Sequence, residues 1–403
     1  MYLSTVSHPA VGRRGFALVS GNVLALGTVS LVTDVSAEMV TAVLPLYLVL
    51  GLQVSPLGYG VVDGLYTGAT AVLRLAGGYL ADRVGRPRTV AGFGYALSAV
   101  AKLGMLAAGA SVAAVGSVIA VDRLGKGVRT APRDALITAS VPPEALGRAF
   151  GVHRAMDSAG AFLGPLVALA VLGATASSYD SVFVTSFCIA AMGVVVLVLF
   201  VRDRPVRAPA ALRGARDLLR DGRVRRLVAA ACLLGLVTVG DGFVYLLLQR
   251  REDLSPLWFP LLAVGTSLAY LLLAAPLGAL ADRIGRLPVV VGGHVALAAT
   301  YLLVGGPSGG LPLIVAALVC YGAFYAATDG VLIALAGPVL PPDWRTTGIA
   351  LIQTGQALAY LVSSVLFGLA WQAWGPATAI RVAAVAVAAA LCGGVLLLRG
   401  RTA

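Results

Sequence analysis

Long apolar runs separated by short polar breaks govern this chain from near its start to its last residues. The runs fall at 20–50, 57–80, 90–109, 112–131, 148–173 and 181–201, and again at 226–249, 256–281, 288–305, 311–336, 347–373 and 378–398. A helix crosses the hydrocarbon core of a bilayer with about 20 apolar residues. The pattern therefore predicts an all-α membrane protein of twelve transmembrane helices. One break is long: residues 202–226 hold nine arginines and three aspartates, with room for a short amphipathic helix near 210–221. The expected division is a six-helix bundle over 1–201, a linker over 202–225 and a second six-helix bundle over 226–403.

Composition supports lipid as the solvent. Hydrophobic residues make up 59% of 403 positions and charged residues 12%, about half the charge of an ordinary soluble domain. The net charge of +12 does not imply nucleic acid, because the arginines collect in alternate breaks. One side of the expected bilayer carries those at 81–89, 132–147, 202–226, 282–287 and 337–346; the connections on the other side offer Arg250 and Arg251. The positive-inside rule then places both termini and the linker in the cytoplasm of a cell-membrane protein. The first run is too long for a signal-peptide core and is read as a permanent helix. Cys188, Cys232, Cys320 and Cys392 are scattered through apolar runs, which suggests neither a disulfide framework nor a metal site.

The halves repeat. GYLADRVGR at 78–86 and GALADRIGR at 278–286 agree at seven of nine positions, and PPEALGRAFG at 142–151 answers PPDWRTTGIA at 341–350. Each copy follows an even number of runs, so the two halves share one orientation, as in carriers built from parallel repeats.

Gly78, Asp82, Arg83, Gly85, Arg86 and Arg88 resemble the signature loop between the second and third helices of the major facilitator superfamily, and Asp282 and Arg283 stand in a second copy. The resemblance covers essentially the whole chain. It implies two pseudo-symmetric six-helix bundles that rock about a midplane site, with Asp82 helping to latch the outward-facing state. Gly160, Gly164 and Pro165 resemble the helix-five motif of the drug–proton antiporter branch, where small residues permit close packing and proline bends the helix.

Several charges fall within apolar runs. Asp34 and Glu38 lie four residues apart on one face of the first helix. A carboxylate at mid-bilayer costs about 2.5–3.5 kcal/mol on insertion scales, and taking it out of water favours uptake of a proton. The pair suits proton coupling, or else a structural ion pair. The fourth run ends in Asp122, Arg123, Lys126, Arg129, Thr130, Arg133 and Asp134, a basic stripe. Arg123 resembles the helix-four arginine that assists proton transfer in coupled members of the superfamily. From Lys126 onward the stripe is expected in the cytoplasm, with Arg129 and Arg133 outside the bilayer. His153 and Asp157 share a face beside Arg154 and fit either a second relay or a structural pair.

The second half is poorer in charge. Asp241 and Asp329 stand out, with Tyr245, Tyr321, Tyr325, Gln353 and Gln356 as neutral polar candidates for a substrate cavity. His8 and His294 are isolated. No phosphate loop or HExxH is present, so neither ATP drive nor enzymatic hydrolysis is expected, and no cofactor.

The reading is a monomeric secondary transporter for a small-molecule substrate, using protons to expel small amphipathic molecules. Coupling falls to Asp34, Glu38, Arg123 and Asp157. Two alternatives stay open: export of a divalent metal or chelate by Asp34, Glu38, His153 and Asp157, and import of a small anion or sugar along the basic stripe.

Overall fold

The computed structural model describes residues 20–84, 86–109, 111–142, 145–203, 218–329, 340 and 345–399; for 69, 71, 72, 74–84, 345–347, 398 and 399 it describes the backbone course alone. Regular structure among the described residues is entirely helical. The first six spans are α1 (Gly21–Leu46), α2 (Pro56–Val84), α3 (Pro87–Ala108), α4 (Val112–Ala139), α5 (Leu146–Ala174) and α6 (Tyr179–Phe200). A π-helical turn at Tyr47–Gly51 extends α1. The seventh span is divided into α7 (Gly222–Leu236) and α8 (Asp241–Arg251); α9 (Pro260–Ile284), α10 (Arg286–Gly305), α11 (Leu311–Thr328), α12 (Arg345–Trp374) and α13 (Pro376–Arg399) complete the set.

The duplication is visible in the packing. In the first bundle α1 lies on α5 and α6, α3 on α4 and α6, and α2 on α4. The second bundle repeats this: α7 lies on α12 and α13, α10 on α11 and α13, and α9 on α11. Between bundles, α2 meets α12 and α5 meets α9, again a symmetric pair. One end of the molecule carries the arginines at 86–88, 202, 223–226 and 283–286; the opposite, arginine-poor end carries the turn at Tyr47–Gly51 and the start of α2.

The polarity of the bundle is inverted relative to a protein in water. Leu199, Phe200, Leu272, Leu302, Val385 and Leu396 point outward and exposed, while Asp34, Lys102, Arg123, Arg129, Arg133 and His153 are buried. Outer faces of this kind suit lipid, where backbone groups must be satisfied within each helix. Ten spans among the described residues are long and apolar enough to cross a bilayer. The helices α2 and α4 fall outside that set, since their sequences carry Asp63, Arg74, Asp82 and Arg83, and Asp122 through Asp134.

Two expectations are corrected. The seventh run, read as one helix over 226–249, breaks at Val237–Gly240. Three consecutive β-branched residues followed by glycine favour helix weakly, and the freed backbone groups find side-chain partners. Ser363 donates to the Thr238 carbonyl at 2.9 Å, Tyr321 to the Val239 carbonyl at 3.0 Å, and the Val239 N–H donates to the Tyr301 hydroxyl at 2.7 Å. The fourth helix does not end near 131; it runs through Pro132 to Ala139. Residues 330–336, expected to continue the tenth helix, lie outside the described residues, and α7 begins within the stretch assigned to the linker.

Candidate functional site

A chain of charges threads the first bundle. On α4, Asp122 accepts from Lys102 of α3 at 3.1 Å, from the Arg123 Nε at 2.9 Å, and from Ser98. Two buried cations thus share one carboxylate. The Arg123 guanidinium also stacks 3.7 Å above the Tyr66 ring of α2, which offsets part of its lost hydration. A small cavity among α1–α4 is lined by Tyr66, Lys102, Met105, Asp122 and Arg123.

Further along α4 the stripe turns onto α1. Arg129 lies 3.7 Å from the Asp34 carboxylate and over the Tyr95 ring at 4.3 Å. Arg133 donates to Asp134 at 2.9 Å and reaches Ser30 at 3.4 Å. Both arginines are buried within the bundle, at 4% and 8% exposure, where charge density alone suggested contact with water. Asp34 of α1 and the Tyr95 ring of α3 offset the burial of Arg129, and Asp134 of α4 itself offsets that of Arg133.

Asp34 and Asp157 form the centre of this network. The two carboxyl groups act on each other across the α1–α5 contact. Ser30 donates to Asp157 at 2.7 Å, and Arg154 lies 3.6 Å from its other oxygen. His153, one turn earlier on α5, is buried with neither ring nitrogen hydrogen-bonded among the described residues; Arg133, Asp134, Arg154 and Asp157 surround it.

Glu38 is half-buried and makes no hydrogen bond or ion pair among the described residues. It lies within electrostatic reach of Lys126 and Arg123 on α4 and of Asp241 on α8, across the junction of the bundles. The glycine motif explains how α5 comes so close to α1. A Cβ on Gly164 would stand 2.6 Å from the Glu38 Cβ and 2.9 Å from the Val35 carbonyl, and one on Gly160 would strike the Leu31 carbonyl. Pro165 follows, buried within α5.

In the second bundle Asp241 opens α8 and accepts from Tyr321 at 2.9 Å and from Tyr325. Tyr245, one turn on, is buried within reach of the charges of Asp241 and Glu38. The remaining cavity candidates are not drawn into this group. Asp329 is exposed just beyond α11 and accepts from Tyr270 at 3.2 Å. Gln353 is half-buried on α12, and the Gln356 side chain packs toward Gly235 of α7. Of the loop motif, Gly78, Asp82 and Arg83 are described by backbone only, Gly85 lies outside the described residues, and Arg86, Asp282 and Arg283 are exposed. No three of the described His, Cys, Asp and Glu side chains converge as metal ligands.

Sequence reading missed Asp63. From α2 it accepts from Tyr360 at 3.1 Å and from Ser364, both on α12 of the other bundle. Its partners lie 297 and 301 residues away, so no local spacing announces them. It also passed over the buried pairing of Lys102 with Asp122.

A duplicated twelve-span bundle with paired acids and arginines inside defines a class of polytopic carrier. The family model of the Major Facilitator Superfamily matches residues 26–265 and 253–403, and the chain belongs to that superfamily of transporters. It is similar to an uncharacterized MFS-type transporter of Methanocaldococcus jannaschii, 29% identical over 371 residues that cover 88% of this chain and 89% of the relative. An uncharacterized protein of Mycobacterium tuberculosis is 38% identical over 160 residues, 39% of this chain and 38% of that one. Among solved structures, the nucleoside transporter NupG superposes with a TM-score of 0.79 at 14% identity, covering 93% of this chain and 98% of that chain. A complex of the peptide transporter POT with sulfate gives a TM-score of 0.77 at 17% identity, covering 96% of each chain. At these identities the superpositions establish the shared fold.

Proposed function

We propose that this protein is a proton-coupled secondary transporter that expels small amphipathic molecules across the cytoplasmic membrane, working as a monomer with both termini in the cytoplasm. The observation that carries the coupling is the Asp34–Asp157 pair. Two carboxyl groups from different helices hold a proton between them, and Arg129 stands by to stabilise Asp34 when that proton leaves. Glu38, one turn away and free of direct partners among the described residues, is the group a substrate or a second proton meets first. Arg123, tied to Asp122, sets the potential around it.

The substrate site in this reading lies where Glu38 and Tyr245 face Asp241 and its tyrosines. Carboxylates beside aromatic rings suit an amphipathic molecule carrying a basic group. Asp329, Gln353 and Gln356 lie further along and contribute to entry rather than to the centre. Close packing of Gly160 and Gly164 against α1 couples any movement of α5 to the acid pair, which supports exchange of proton for substrate. In the loop motif, Asp82 and its neighbours latch one state, as the resemblance implies.

Uptake into inverted membrane vesicles tests this reading. Ethidium, a fluorescent amphipathic cation, accumulates when an acid-inside gradient is imposed and leaks when a protonophore collapses it. Accumulation that ignores the gradient contradicts coupling. A second reading, transport of a small anion or polar solute, is favoured by Lys126, whose charge bears on both Asp34 and Glu38; nucleosides and peptides, named for the proteins of similar fold, are the classes to try first.

A further inference from the structure

The geometry points to Asp63 as a positioning residue for transport: a clasp between the bundles that must open before the substrate site can reach the arginine-poor side. Asp63 lies seven residues into α2, about 10 Å from that end at 1.5 Å per residue. Both hydroxyls that hold it, Tyr360 and Ser364, belong to α12. Its carboxylate also presses on the break in the seventh span, where a Cβ on Gly240 would collide with it and stand 2.6 Å from the Tyr360 hydroxyl. One side chain of the first bundle is therefore hydrogen-bonded to one element of the second and packs against another.

The seam around Asp63 is built to close tightly. A Cβ on Gly60 would strike the Ser364 carbonyl, one on Gly64 would lie 2.9 Å from the Leu361 carbonyl, and one on Gly68 would meet the Leu361 side chain at 2.7 Å. On the facing helix, Gly368 lies against Pro56 and Leu57. Tyr59 stacks edge-on against Phe243 at 4.7 Å. Glycines alone would give an apolar seam that slides. Asp63 adds a directional polar lock, since its hydrogen bonds cannot be traded for lipid or for another side chain without rotation of α2 against α12. Rocking of the two bundles about a midplane site opens the arginine-poor end by parting this seam, and the Asp63 bonds break in that step.

The test is a distance measured between spin labels at Ser177 and Ser308, exposed turns of the two bundles at the arginine-poor end, with the four native cysteines replaced by serine. Asp63→Leu is expected to raise the long-distance population about tenfold, the factor corresponding to loss of one hydrogen bond to a charged group. The double variant Tyr360→Phe/Ser364→Ala, which keeps the carboxylate, should shift it in the same direction, and combining all three should add nothing further. Asp63→Asn, which retains an acceptor oxygen, should lie between wild type and Asp63→Leu. An unchanged distribution in Asp63→Leu or in the double variant, or full additivity of the two, overturns the clasp. The clasp rests on the transporter reading but not on proton coupling: a carrier indifferent to a pH gradient would refute the coupling and leave this distance test intact.

Discussion

Asp34 on α1 and Asp157 on α5 act on each other inside the first bundle, with Arg129 3.7 Å from Asp34 and Arg154 3.6 Å from Asp157. In the proposed coupling this acid pair shares a proton between two cations and is poised between two states. With the proton present the helices are tied by a hydrogen bond; without it, the acids repel and each turns to its arginine. That alternation is the physical core of the proposed coupling.

Asp34→Asn mimics the protonated acid permanently. Gradient-driven accumulation of ethidium in vesicles should fall at least about tenfold, the loss expected when a positioned acid–base group is removed. Downhill exchange of ethidium between equilibrated compartments should persist. Loss of both activities together would place Asp34 in folding or substrate binding instead.

Arg129→Met leaves Asp34 and Asp157 facing each other without the cation. Breaking one side of a buried ion pair costs about 3–5 kcal/mol. Thermal unfolding in detergent should show a clear drop, and adding Asp34→Leu should recover part of it. If the double variant is less stable than Arg129→Met alone, the pairing is not what holds this region.

The triad of Lys102, Asp122 and Arg123 predicts an asymmetry. Lys102→Met leaves Asp122 with Arg123 and Ser98, while Asp122→Asn strands two buried cations. Stability should fall more for Asp122→Asn than for Lys102→Met, by about 2 kcal/mol given the cost of an unpaired buried charge. Equal melting temperatures would contradict the shared-carboxylate picture.

Packing of α5 on α1 predicts strong position dependence among glycines. Gly164→Val should destabilise by about 1–3 kcal/mol through overpacking against Glu38 and Val35. Gly147→Ala, with nothing within 4 Å of the new Cβ, should be neutral. Thermal stability by size-exclusion fluorescence separates the two.

Asp241 is held by Tyr321 and Tyr325, and Tyr325→Phe removes one donor to a carboxylate. That bond is worth about 1.5–3 kcal/mol. Stability should fall by up to that amount, and if Asp241 contacts substrate the KM for ethidium export should change about tenfold as well. A variant that loses stability and keeps its KM assigns the tyrosine to the scaffold.

Much of the fold was legible because lipid imposes a simple code: apolar length gives spans, arginine placement groups the breaks that meet at one end, and a repeated GxLADRxGR string gives the duplication. Asp34 and Glu38 were legible because charge in an apolar run has few explanations. The break at Val237–Gly240 was not, since hydropathy stays high across it and the partners that satisfy its backbone come from α10, α11 and α12. Arg129 and Arg133 misled for the opposite reason. Charge density suggested water, and only the approach of α1 brings Asp34 to Arg129 and Ser30 to Arg133. Asp63 lay in a run whose glycines every four residues hinted at a close neighbour without saying which one.

The most direct test of proton coupling uses purified protein in liposomes with a pH gradient as the sole energy source. Wild type should accumulate ethidium inside acid-loaded liposomes and lose it on adding a protonophore, while the Asp34→Asn/Glu38→Gln variant should equilibrate and no more. Accumulation by that variant equal to wild type, or accumulation by wild type that survives collapse of the gradient, contradicts the account.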